Sequence, residues 1–209
     1  MRSSPRTLYL STSVALGLVL STDTAHAHVA SEKVGAFYAG LLHPLTAPEH
    51  VLPMVALGLL AGQQGLSKGQ GVLLVFPVAM ALGASLALLR PALGWVPLLN
   101  LGSAVLLGGL VAAAWRLPAA LLYALALLFG MTHGYANGAA ITSTLSPTVF
   151  ILGLIIASLF VLSYGIAGTD YLLRLKPVWL RIAVRVAGSW IAAIGILVLS
   201  MGEKALSSL

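Results

Sequence analysis

The run His43-Pro44-Leu45-Thr46-Ala47-Pro48-Glu49-His50 sets two imidazoles and a carboxylate around a pair of helix-breaking prolines. A second polar run, Thr132-His133-Gly134-Tyr135-Ala136-Asn137-Gly138, lies far downstream. Between and around them the chain is apolar. An ionisable group at membrane depth costs roughly 2.5 to 3.5 kcal/mol, so its retention there points to use. Neutral imidazole suits nickel, cobalt, zinc or copper, whereas magnesium and calcium take an all-oxygen shell that this chain cannot furnish. The chemistry these residues suggest is capture of a divalent transition-metal ion by His43, His50 and His133. Glu49 would serve as a further ligand, or as the acceptor that fixes an imidazole tautomer. Such an open ligand set fits a carrier, since a closed four-ligand site holds its ion too well to release it.

The elements that must position these groups are membrane helices. Of the 209 residues 59% are hydrophobic and 8% charged, against about a quarter charged in soluble domains, and the mean hydropathy is +1.02. The expected fold is all-α, a polytopic bundle of about six transmembrane helices with a broken or re-entrant first helix. Apolar segments run over 49–63, 71–89, 95–115, 118–141, 147–172 and 178–201, preceded by a half-length piece at 34–42 that ends at His43-Pro44.

Residues 1–27 read as a cleaved signal peptide, with Arg2 and Arg6 before an apolar stretch and Ala25-His26-Ala27 as the cleavage pattern. Residues 28–209 then form a single integral membrane domain. The mature chain would begin at His28, whose α-amine and imidazole make a possible bidentate chelate. A cleaved signal leaves the amino terminus periplasmic in a bacterial inner membrane. Lys68, Arg116, Arg174, Lys176 and Arg181 then fall inside, against Lys33, Arg90 and Lys204 outside, in keeping with the positive-inside rule. Every histidine of the mature chain falls towards the outer leaflet. No cysteine is present, which excludes disulfides and thiolate metal sites. The basic surplus lacks the basic helix or aromatic interleaving of a nucleic-acid surface.

Several of these residues also have simpler readings. Thr46-x-x-Glu49 is a capping box, with Pro48 in the first turn. His133 is compatible with a single interhelical hydrogen bond, and Met54 and Met131 with packing. Asp170 and Arg174 are spaced for an interfacial salt bridge, and Arg185 for snorkelling towards the headgroups. Gly130, Gly134 and Gly138 form a ridge that would admit a close partner helix. The expected partner is the helix carrying His50, which has its own notch at Gly58 and Gly62.

The leader end Ala25-His26-Ala27-His28, the His43-Pro44 dipeptide, His43-x5-Glu49-His50 and the later His133-Gly134-x-Ala136-x-Gly138 together resemble the HupE/UreJ family. The resemblance spans nearly the whole chain. It implies a small bacterial inner-membrane permease for nickel or cobalt, associated with hydrogenase or urease maturation, with no permanently bound cofactor. The family's His-x5-Asp-His falls on His43, Glu49 and His50, with glutamate in place of aspartate. Its second motif, Phe-His-Gly-x-Ala-His-Gly-x-Glu, falls on Thr132 to Ala140, where Asn137 replaces a histidine and Ala140 a glutamate. Asn137 still offers a carbonyl oxygen.

The expected function is therefore transport of a divalent transition metal, and not enzymatic. A non-transporting accessory protein that hands metal to a maturation partner would use the same ligands. A haem-bearing oxidoreductase with axial histidines, or an intramembrane hydrolase with Glu49 as base, fits less well, the latter for want of a His-Glu-x-x-His helix. No phosphate-binding loop is present, and the membrane potential alone favours entry of a doubly charged ion by about 4.6 kcal/mol per 100 mV.

Overall fold

The computed structural model describes residues 27–89, 93–175 and 177–207, with side chains from residue 35 to 201. The signal-peptide reading of residues 1–27 lies almost wholly outside this range, as does the side chain of His28. Among the described residues there are seven helices and no strand: α1 Ala27–Thr46, α2 Pro48–Gln64, α3 Leu66–Ala87, α4 Val96–Ala113, α5 Ala119–Gly138, α6 Pro147–Arg174 and α7 Val178–Ser207. Five of them, α3 to α7, are long and apolar enough to cross a membrane, and Gly35–Thr46 with Pro48–Gln64 makes a sixth, broken span bent by 75°. The protein is an all-α polytopic membrane bundle.

The break in the first span follows from proline. Ala47 sits at φ −99°, ψ 111°, the extended conformation forced on a residue that precedes proline. Pro48 then occupies the first turn of α2, where its missing N–H costs nothing. The half-length piece does not stop at His43-Pro44 as expected. It continues through Pro44 to Thr46, and the chain turns at Ala47. Thr46 accordingly does not form a capping box. Its hydroxyl bonds back to the Leu42 carbonyl at 3.0 Å, closing α1, and α2 has no side-chain cap. At the far end of α2, Gly65 (φ 94°, ψ 158°) adopts a backbone conformation essentially confined to glycine, and so reverses the chain into α3 without a loop.

The glycines set which helices touch. A Cβ on Gly130, Gly134 or Gly138 would run into Phe76, Ala79, Met80 or Ala84, so the α5 ridge packs on α3. Gly58 and Gly62 instead meet Gly165, Ile166 and Thr169 of α6. The expected pairing of the two glycine faces with each other is thus overturned, because each already has a partner of its own. Gly108 and Gly188 bring α4 and α7 together in the same manner, and Gly40 and Gly153 join α1 to α6. The helix α2 lies at the centre, against α4, α6 and, more lightly, α3 and α7. Between His50 and Gln63 it contributes Met54, Leu57, Leu60 and Ala61, all fully buried with Leu107 and Leu162 in one apolar core. Met54 is therefore packing.

At the end of the bundle opposite His50, polar side chains close the backbone of the α4–α5 turn. Gln63 Nε2 donates to the Val111 carbonyl at 3.1 Å, and Gln64 Nε2 to that of Trp115 at 2.9 Å. Gln64 Oε1 accepts from the Leu117 N–H at 3.0 Å, and Lys68 Nζ donates to the Leu117 carbonyl at 2.7 Å. Lys68 lies within α3, which begins at Leu66, ahead of the apolar segment that starts at Gly71. Arg185, expected to snorkel, instead donates from Nε to the Ala112 carbonyl at 2.7 Å. Carbonyls at a helix end have no intrahelical donor, and an unpaired one in a low-dielectric setting is costly. Asp170 and Arg174 form the expected salt bridge, at 2.7 Å. Trp95, Trp115 and Trp179 lie exposed near helix ends, as amphipathic rings at a membrane interface do.

Replacing Gln64 with leucine strands the Leu117 N–H and the Trp115 carbonyl together. Thermal unfolding in detergent should show a loss of about 1 to 3 kcal/mol, with no such loss for an exposed lipid-facing change such as Leu74→Ala. Gly134→Leu should abolish folded protein outright, as read by size-exclusion chromatography, because α3 cannot retreat from the added side chain.

Candidate functional site

Three histidines meet at one end of the bundle. The bend at Ala47 turns His43, in the last turn of α1, towards His50 in the first turn of α2, and their ring centres lie 6.0 Å apart. His133 comes from α5, near its carboxy-terminal end, and is fully buried. His50 Nδ1 and His133 Nδ1 are 3.0 Å apart. The ring centres are separated by 5.3 Å, which is that N···N distance plus about 1 Å of ring radius at each end. The two nitrogens therefore face each other along the line of centres. That is the geometry of a hydrogen bond between rings. Two ligands chelating one ion would both point at a third position.

The direction of the proton chain can be read from its far end. Ser103 of α4 donates its single hydroxyl proton to the Asn100 carbonyl at 2.5 Å. Its oxygen must then accept from His133 Nε2, 3.0 Å away. With both rings neutral, His133 Nδ1 carries the lone pair and His50 Nδ1 donates to it. The remaining lone pair of the series belongs to His50 Nε2. Ser103 and His133 thus fix His50 in the tautomer that offers Nε2 as a ligand atom.

His50 lines a cavity of about 390 Å³ with Glu49, Pro97, Asn100, Leu101, Ala136 and Val198. Glu49 is exposed in the first turn of α2, where the helix dipole favours its charge. Asn100 is almost fully buried. Its Nδ2 lies 3.4 Å from the Thr132 carbonyl, and its Oδ1 has no partner. Asn137 sits one turn beyond His133, donates from Nδ2 to the His133 carbonyl at 2.7 Å, and likewise has a buried Oδ1 without a partner. A buried carbonyl oxygen left unpaired is costly unless a ligand or water completes it. Among the described residues, no three His, Asp or Glu side chains stand close enough together to enclose a metal ion.

Of the six residues read from the sequence as metal-binding, the fold joins His50 directly to His133 and brings His43 within one ring's width of His50. Glu49 opens on the same cavity as His50. Asn137 supports the His133 turn, and His28 lies outside the described side chains. Asn100 and Ser103 were missed. A single asparagine and serine in an apolar stretch look like ordinary helix-helix glue, and only the packing of α4 against α2 makes them neighbours of the histidines.

Fold and site together define a polytopic helical membrane protein with a buried histidine pair beside an open mouth. The family described as HupE / UreJ protein matches residues 16–198; the chain belongs to it. Among curated relatives, Protein HupE of Rhizobium leguminosarum bv. viciae is 31% identical over 195 residues, covering 90% of this chain and 96% of that one. No solved structure matches.

The tautomer assignment is open to ¹⁵N NMR of histidine-labelled protein. His133 should show a protonated Nε2 and an unprotonated Nδ1, and His50 the reverse. Ser103→Ala should blur this pattern into a mixture of tautomers, since among the described residues Ser103 is the group that holds the His133 Nε2 proton.

Proposed function

We propose that this protein carries a divalent transition-metal ion, nickel or cobalt in the first instance, across the bacterial inner membrane from the periplasmic side. The observation that carries the reading is the His133–His50 hydrogen bond, which leaves one imidazole lone pair at the mouth of the bundle. In this reading His50 Nε2 is the principal ligand atom. His43 and Glu49 meet the incoming ion from the two sides of the break, and the unpaired Asn100 Oδ1 receives it more deeply. His133 acts through His50 and Ser103 through His133. Membership of HupE/UreJ agrees with an uptake role tied to hydrogenase or urease maturation. An incomplete shell of mixed nitrogen and oxygen donors suits capture followed by release.

The alternative within the same family is an accessory protein that binds metal and passes it to a maturation partner without moving it across the membrane. Uptake of radioactive nickel or cobalt into proteoliposomes distinguishes the two. The wild type should accumulate ion in response to an inside-negative potential, and His50→Ala should reduce uptake to the background of empty vesicles. His133→Ala and Ser103→Ala should keep transport but weaken apparent affinity, roughly 10- to 100-fold for the histidine. Metal binding without accumulation would favour the accessory role. Full activity in His50→Ala would end the reading altogether.

A further inference from the structure

At the end of the bundle remote from the histidines, Gln63, Ala114, Arg116, Leu173, Arg181 and Arg185 line a cavity of about 240 Å³. Three guanidinium groups therefore share one small space contributed by α2, the α4–α5 turn, α6 and α7. Two of them are held in place by backbone carbonyls. Arg116 donates from Nη1 to the Gln63 carbonyl at 2.7 Å, and Arg185 from Nε to that of Ala112. Each is anchored by one nitrogen, which leaves further N–H groups to face a ligand. No carboxylate lines the cavity among the described residues, and Asp170, on α6 with Leu173, is engaged by Arg174.

Like charges gathered at a membrane boundary and left without a counter-charge repel one another. The positive-inside tendency explains why arginines occur at this end. It does not explain why three converge on one cavity. A second observation comes from Gln63. Its Nε2 is committed to the Val111 carbonyl, and its Oε1 is buried with no donor. The cavity therefore offers a planar fork of donors suited to a phosphate, together with one acceptor suited to a hydroxyl proton.

We propose that this cavity binds a phosphate group that carries or adjoins a hydroxyl, as in the headgroup of an anionic phospholipid such as phosphatidylglycerol. Soluble phosphate shares the chemistry. The site is separate from the histidine mouth and does not depend on what the protein carries.

The test uses the full chain, purified in a neutral detergent, by native mass spectrometry with added phosphatidylglycerol or phosphatidylcholine, and by calorimetric titration with inorganic phosphate. Arg181→Gln is the informative variant, because among the described residues Arg181 is not tied to a backbone carbonyl as Arg116 and Arg185 are. The expected result is one retained phosphatidylglycerol per chain, preferred over phosphatidylcholine, with retention falling about fivefold in Arg181→Gln and unchanged in Arg174→Gln, which removes a charge outside the cavity. Saturable binding of inorganic phosphate without lipid preference, lost in the same variant, would uphold the site and assign it to a soluble anion. If Arg181→Gln fails to fold, Arg181→Lys keeps the charge but loses the bidentate fork, and should show intermediate retention. Equal retention of both lipids with no phosphate binding, or equal losses in Arg181→Gln and Arg174→Gln, would overturn the proposal.

Discussion

A polar group surrounded by hydrocarbon must find its partner inside the protein, and this one constraint organises the molecule. It turns Gln63, Gln64, Lys68 and Arg185 into caps for carbonyls that would be solvated in a water-soluble bundle. It draws Ser103, His133 and His50 into a single directed series of hydrogen bonds. The exceptions are then informative. Among the described residues, the buried side-chain oxygens without a partner are those of Gln63, Asn100, Asn137 and Thr169. Asn100 lines the histidine mouth and Gln63 the arginine cavity, whereas Asn137 and Thr169 line neither.

The broken first span gives the histidine end its character. A continuous helix would put His43 and His50 two turns apart on one rod, related only by their spacing. Proline at position 48 forces Ala47 out of the helix, and the 75° bend folds one half back so that the two rings approach from different directions. The glycine-lined contacts of α2 with α6, and of α5 with α3, hold His50 and His133 in register without either histidine packing on a glycine ridge.

Much of this was legible in the sequence because hydrocarbon simplifies the grammar. Apolar length gave the spans and the prolines gave a broken first helix, but the break was expected at His43-Pro44 and falls at Ala47, before Pro48. The encounter of His50 with His133 was expected on topological grounds, since both lie near helix ends on one side. Its route was misread. Gly130, Gly134 and Gly138 announce a close neighbour without saying which, and pairing preferences among small-residue faces are too alike to be told apart from one chain. Thr46 had the right spacing for a capping box, yet the hydroxyl satisfied the nearer Leu42 carbonyl once α1 had run on past Pro44. Asn100 and Ser103 carried no local signature at all, because their importance lies wholly in what a distant helix places beside them.

The sealed apolar layer between His50 and Gln63 spans about 20 Å of helix rise and is filled by Met54, Leu57, Leu60 and Leu107. Electrical resistance in such a molecule resides where water is missing, so nearly the whole voltage drop falls across this slab and little across the mouths on either side. A change in membrane voltage therefore acts chiefly on charge that crosses this slab, and little on the groups gathered at either end of it.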